Sequence, residues 1–137
     1  MASRAFFPTC DSLNERLTMI QGSVTFGASG AVASITGTGV ASVSQTSTGI
    51  YKITLSDAYA RCLGLSAVAV AAASGTAANV ATVAIDADPQ SSSLGVPAKQ
   101  LSIQTLDAAA AKVDPASGSV LLFMIWLRNS SIKGAGE

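Results

Sequence analysis

The chain contains no histidine, and that single absence removes the Ser-His-Asp and Cys-His arrangements as well as every imidazole metal site. Charge is scarce too: Asp, Glu, Lys and Arg make up 12% of the 137 residues, about half the share usual in soluble domains, and they cancel to a formal net charge of zero. Arg4, Arg16, Arg61 and Arg128 are scattered without a basic run, so nothing supplies the phosphate-neutralising stripe that nucleic acid requires. Aromatic residues are only 5%, few for a carbohydrate-binding surface built on exposed rings. The two cysteines, Cys10 and Cys62, have neither metal-ligand spacing nor the density of a secreted disulfide scaffold and read as buried free thiols. The opening Met-Ala-Ser-Arg lacks the apolar core of a signal peptide, which points to assembly in a cytoplasm. Ala67 to Ile85 is almost long enough to span a bilayer, but Ser74-Gly75-Thr76 and Asn79 interrupt it, so it reads as strands and not as a membrane helix.

What is present is 49% apolar, with Ser, Thr, Ala and Gly left to form most of the surface. Few charges hold copies of such a surface apart, so it suits a protein whose surface is covered by others. The length corresponds to one domain that folds without a metal.

Residues 1–16 have no period of two and read as an N-terminal arm, with Phe6-Phe7-Pro8 as an aromatic anchor; a single domain occupies 17–137. The first strand begins at Leu17 and carries Ile20, Val24 and Phe26 on one parity, with Gly22 at a bulge or close backbone contact. Short strands then follow at Ala31 to Ile35 and Val40 to Ser44, separated by glycine turns. Tyr51, Ile53 and Leu55 alternate with Lys52 and Thr54, so that Val40 to Leu55 forms a hairpin.

Ser56 to Leu63 has a capping serine, apolar residues Tyr59, Cys62 and Leu63 at i, i+3 and i+4, and a closing Gly64; this predicts one short helix. Leu65 to Ala73 and Asn79 to Ile85 predict a second hairpin, with helix as the alternative. Asp86 to Ala98 is a long loop, Leu101 to Thr105 an alternating strand, and Asp107 to Gly118 a second connection in which Ala108 to Lys112 has the composition for a helical turn. Val120 to Leu127 is apolar on both parities, which predicts a strand buried on both faces. Exposed on an edge it would be an aggregation hazard, so it belongs in the domain's core or against symmetry mates. Together these elements predict an all-β two-sheet sandwich of about eight strands with one short helix.

The residues that could carry chemistry lie in turns and caps. Asp57, Asp86, Asp88, Asp107 and Asp114 all lie in turn or cap contexts, and Asp86-Ala87-Asp88 lacks the further ligands and glycine of a calcium loop. Gly27 to Gly30 and Gly37 to Gly39 lack the helix and Lys-Ser/Thr of a P-loop. Asn129-Ser130-Ser131 matches a glycosylation acceptor by pattern only. No catalytic residue, cofactor or metal site is assigned, and the expectation is a protein that is not an enzyme.

Gly37 to Val43, the strand Gly49-Ile50-Tyr51-Lys52-Ile53-Thr54-Leu55, and Asp114 to Gly118 leading through Phe123 to Leu127-Arg128-Asn129-Ser130-Ser131 carry a resemblance. The chain resembles small virion structural proteins of tailed bacteriophages, and among these looks most like capsid cement or decoration proteins. That resemblance implies a sandwich or jelly-roll module bound to an icosahedral shell through the major capsid protein, as a homotrimer in preference to a dimer. A tail-fibre or tail-associated module is the alternative, and a carbohydrate-binding sandwich stands last. Elements not committed to the core are nominated as shell contacts: Arg4, Phe6, Phe7 and Pro8 in the arm, and Asp88, Pro89, Leu94 and Val96 in the long loop. Phe123, Ile125 and Trp126 are nominated for the oligomer interface. Neither nucleic acid nor membrane is expected as a partner.

Overall fold

A computed structural model describes residues 17–57, 59, 61–86 and 100–128. Among the described residues eight strands run in chain order: β1 (Leu17–Phe26), β2 (Val32–Thr36), β3 (Val40–Ser47), β4 (Ile50–Leu55), β5 (Arg61–Val70), β6 (Thr82–Ile85), β7 (Gln100–Leu106) and β8 (Val120–Arg128). They form two four-stranded antiparallel sheets, in the orders β2-β1-β8-β5 and β3-β4-β7-β6. The protein is a two-sheet β-sandwich. Its ladders do not pair β2 with β7 or β3 with β6 as a jelly roll would.

Alternation builds the core. Ile20, Val24 and Phe26 on β1 and Leu121, Phe123, Ile125 and Leu127 on β8 face Tyr51, Ile53 and Leu55 on β4 and Leu101 and Ile103 on β7. Because successive strand residues point to opposite faces, this one parity fills the space between the sheets. Gly22 pairs with Phe123, whose ring occupies the space a side chain would need: a Cβ at position 22 would lie 2.6 Å from Phe123 Cζ and 2.8 Å from the Thr36 carbonyl oxygen. The expected close contact at this glycine is therefore present.

Four sequence-based expectations need correction. No α-helix occurs among the described residues, and the stretch assigned to one, Ser56 to Leu63, instead leads into β5, with Cys62 and Leu63 inside the strand. Nine ladder pairs to β8, with a bulge between Cys62 and Gly64, outweigh a two-turn helix too short to be stable alone. Gly64 sits opposite Trp126 and ends no helix. The hairpin expected from Leu65 to Ile85 is also absent, because β5 and β6 belong to different sheets and 71–81 crosses between them. At Ala108 to Lys112 the Asp107 carboxylate accepts from the backbone N–H groups of Ala109 (2.8 Å) and Ala111 (3.0 Å), closing a turn in place of a helix.

The fourth is the burial of β8. It is the central strand expected, flanked by β1 and β5, but only its inner parity is buried. Leu122 is 44% exposed, and Val120, Met124 and Trp126 are half-buried on the outer side.

Candidate functional site

Two features stand out on the sandwich: a hydrogen-bonded cluster at one end, and the outer face of the β2-β1-β8-β5 sheet.

The cluster begins at the β3–β4 turn. Gly49 holds φ at +68°, the left-handed region that favours glycine, and is buried. Its N–H donates to Asp114 Oδ1 at 2.9 Å, and the Gln45 side-chain amide donates to the same oxygen at 2.8 Å. The Gly49 carbonyl accepts from the Thr105 N–H at 2.8 Å, while the fully buried Thr105 hydroxyl donates to the Val113 carbonyl at 2.6 Å. Nearby, the Tyr51 hydroxyl donates to the Gly30 carbonyl, and its ring packs against Phe26 with centroids 5.2 Å apart. Burial, and secondarily the Asp114 charge, hold the Tyr51 phenol well above its usual range. Burial likewise pushes up the thiol of Cys62, a free cysteine in the core. Each donor here has an acceptor inside the protein, and the carboxylate is spent on tying loops together. The cluster is a structural clasp.

The outer sheet face is different. Ladder registers place Met19, Gln21, Ser23 and Thr25 of β1 beside Trp126, Met124, Leu122 and Val120 of β8, and on the other side Gly64, Ser66, Val68 and Val70 of β5. Ser34 and Thr36 of β2 complete the face, with the Ser23 and Thr36 hydroxyls 2.6 Å apart. Every large apolar side chain that is exposed among the described residues belongs to this sheet: Met19, Leu63, Val68, Val70 and Leu122. No Asp, Glu, Lys or Arg occurs within 19–25, 32–36, 64–70 or 120–126. A shallow groove of about 600 Å³ crosses the middle of the face, over Leu122, Val68 and Met124 and bordered by Gln21, Ser23, Thr36 and Ser66.

The opposite outer face has another character. There Ser42, Ser44, Lys52, Thr54, Gln100, Ser102 and Gln104 stand side by side in the ladders, so that sheet is dressed for water. The asymmetry is written in the strands: β4 and β7 alternate apolar with polar residues, whereas β8 is apolar on both parities and β5 nearly so.

Of the residues nominated from sequence, Phe123 and Ile125 are 4% and 0% exposed and belong to the domain's own core, so they are not available to a second copy. Only Trp126 lies on the outer face. Sequence reasoning missed Met19, Val68 and Leu122, whose signal was present in the double parity of β8 but whose neighbours depend on the β5 ladder. Arg4, Phe6, Phe7 and Pro8 in the arm, and Asp88, Pro89, Leu94 and Val96 in the loop, lie outside the described residues. Among those described, no group of three or more Cys, Asp or Glu side chains is placed to hold a metal ion, and no helix is long and apolar enough to cross a membrane.

Fold and surface together define a β-sandwich module with one polar outer face and one that is apolar and free of charge over 19–25, 32–36, 64–70 and 120–126. No protein-family model, curated protein or solved structure matches the chain.

Proposed function

We propose that this chain is a non-enzymatic virion structural protein, a cement or decoration module that fastens as a homo-oligomer onto the major capsid protein of an icosahedral shell and stiffens it against internal pressure. The observation that carries this reading is the outer face of the β2-β1-β8-β5 sheet, apolar and free of charge over its middle. Such a face favours burial in an assembly over life as a solitary monomer. The resemblance of Gly49 to Leu55 and Asp114 to Ser131 to phage virion proteins supplies the kind of assembly.

In this reading the protein works through area and repetition. The arm (Arg4, Phe6, Phe7, Pro8) and the long loop (Asp88, Pro89, Leu94, Val96) make the shell contacts. Aromatic anchors carry much of the affinity, and Arg4 adds a directional hydrogen bond. A weak contact repeated over a symmetric shell holds, because an oligomer leaves only when all its attachments release together. No cofactor takes part. Assembly takes place in the host cytoplasm and the finished protein resides in the virion.

The test is electron microscopy of purified particles carrying a labelled copy of this chain, together with a deletion of residues 2–8. The expected result is label distributed over shells, with reduced occupancy and earlier heat-induced genome loss for the truncated protein. Label confined to tails would replace the cement reading by a tail-associated module. Full occupancy by the truncated protein would remove the arm from the contact.

A further inference from the structure

We infer that the outer face of the β2-β1-β8-β5 sheet is covered by the same face of a second copy of this chain, about a two-fold axis passing over Met124, so that Trp126 of each copy enters the groove of the other. The inference rests on the self-association in the reading above and not on shell binding, and it gives a two-fold pair where the resemblance implies a trimer.

Three observations select a second copy as the occupant. First, charge: residues 19–25, 32–36, 64–70 and 120–126 carry no ionisable residue, and Arg61 and Arg128 are ladder partners at one end of the face, so a two-fold axis over Met124 sends the pairs of the two copies to opposite ends and no like charges meet across the middle. Second, area: β1 and β5 of 10 residues, β8 of 9 and β2 of 5, set about 4.8 Å apart and rising roughly 3.3 Å per residue, give a face of roughly 500 Å² in flat projection. Two such faces remove about 1,000 Å² or more of accessible surface, the minimum for a biological interface and the size of a pair that comes apart on dilution. Third, shape: the face is hollow over Leu122 and Val68, while Trp126 and Met19 stand as cross-strand partners beyond its edge.

A two-fold axis lying between the sheets and perpendicular to β8 runs the two β8 strands antiparallel. Placed over Met124, it sets residue 124 against its own equivalent and residue 126 against residue 122 of the other copy, since i meets j and j meets i in such a contact. The bulky end of each face then fills the hollow of its mate. The hydroxyls and amide of Ser23, Thr36, Ser66 and Gln21 ring the groove, where the Trp126 indole N–H needs an acceptor once covered.

Trp126 is the only tryptophan in the chain, so it reports directly on its own cover. Sedimentation velocity and tryptophan emission are followed on the intact, shell-free protein over a dilution series from about 100 μM to about 0.1 μM, together with Leu122→Lys and, on the polar sheet, Gln104→Lys. The expected result is a dimer that dissociates on dilution, with emission shifting to the red at the same midpoint. Leu122→Lys is a monomer with red-shifted emission at every concentration and an unchanged melting temperature at low concentration, while Gln104→Lys associates like the natural chain. A monomer at 100 μM, a trimer, dimers that persist in Leu122→Lys, or emission that ignores dissociation each overturns the inference. Should Leu122→Lys fail to fold, the dilution series of the natural chain decides alone. Blue-shifted emission in a monomer would mean that the chain covers the face itself, and emission that shifts only when shells are added would give the face to the capsid. Loss of shell binding by a chain that still pairs would refute the cement reading and leave this one standing.

Discussion

The Tyr51 hydroxyl donates a 2.8 Å hydrogen bond to the Gly30 carbonyl, joining β4 to the turn between β1 and β2. Burial first, and the neighbouring Asp114 charge second, disfavour the phenolate and raise the Tyr51 pKa above its ordinary value near 10. A raised folded-state pKa means that this contribution to stability is complete below pH about 10 and is lost as pH rises from there through the folded-state value. Unfolding free energy followed by denaturant titration should therefore fall with pH above about 10. Cys62, also pushed up by burial, acts in the same direction. In a Cys62→Ala background, Tyr51→Phe should remove most of the remaining alkaline loss, at a cost of about 1–2 kcal/mol near neutrality for the abandoned Gly30 carbonyl. An alkaline slope unchanged by Tyr51→Phe would show that Tyr51 is not its source.

Asp114 joins the β3–β4 turn to the connection before β8 through one oxygen, which accepts from both Gly49 N–H and the Gln45 amide. Asp114→Ala leaves both donors without that acceptor and should cost about 2–3 kcal/mol by chemical denaturation. Asp114→Asn keeps a carbonyl oxygen in place and should cost less. It also removes the charge beside Tyr51, so the phenol should ionise at lower pH, read from the tyrosinate absorbance. Equal losses in the two variants would mean that charge, and not the acceptor, holds the clasp.

These two clasps show where the sequence was legible and where it was not. Tyr51, Ile53 and Leu55 alternate with polar neighbours, so β4 could be read locally, as could β7 from Leu101, Ile103 and Thr105 and the Val40 to Leu55 hairpin. The apolar run at Leu121 to Leu127 correctly marked a central strand. What failed depended on partners far away in sequence. Tyr59, Cys62 and Leu63 have helical spacing, and Ala-rich 67–73 gives no clear period; only the ladder to β8 makes this stretch β5. The same ladder decides the surface, because Val68 joins Leu122 only once β5 lies beside β8. The reading of β8 as buried on both faces was half right for one chain in isolation, and Asp114, legible only as a turn residue, acts across 65 residues of sequence.

Gly22 offers a sharper packing test. A Cβ there meets Phe123 Cζ at 2.6 Å and the Thr36 carbonyl oxygen at 2.8 Å, and the latter is backbone that no rotamer change can move. Gly22→Ala should destabilise by about 1–3 kcal/mol despite the better strand propensity of alanine. Pairing it with Phe123→Leu should recover part of that loss, so a double-mutant cycle should show coupling between the two positions. Strict additivity would mean that the clash is with the β2 backbone alone.

The two parities of β8 should respond differently to substitution. Leu121, Phe123, Ile125 and Leu127 are 4% exposed or less, whereas Leu122 on the other parity is 44% exposed. Removing an inner side chain leaves a cavity between the sheets that rigid neighbours cannot close, so Leu121→Ala, Phe123→Ala and Ile125→Ala should each cost about 2–5 kcal/mol at any protein concentration. On the outer face, Leu122→Ala and Met124→Ala remove contacts that one copy alone does not fully make. Their cost should stay below about 1 kcal/mol in dilute protein. It should grow as protein concentration rises, because a partner that binds only the folded chain adds stability by mass action. Aspartate makes the contrast starker: Phe123→Asp places a charge in a dry core and should abolish folding, while Trp126→Asp should fold and remain monomeric. Melting temperatures measured across a hundredfold range of concentration check both halves. Inner-parity variants whose losses depend on concentration, or outer-parity variants whose losses do not, would contradict the assignment of one face of β8 to the core and the other to assembly.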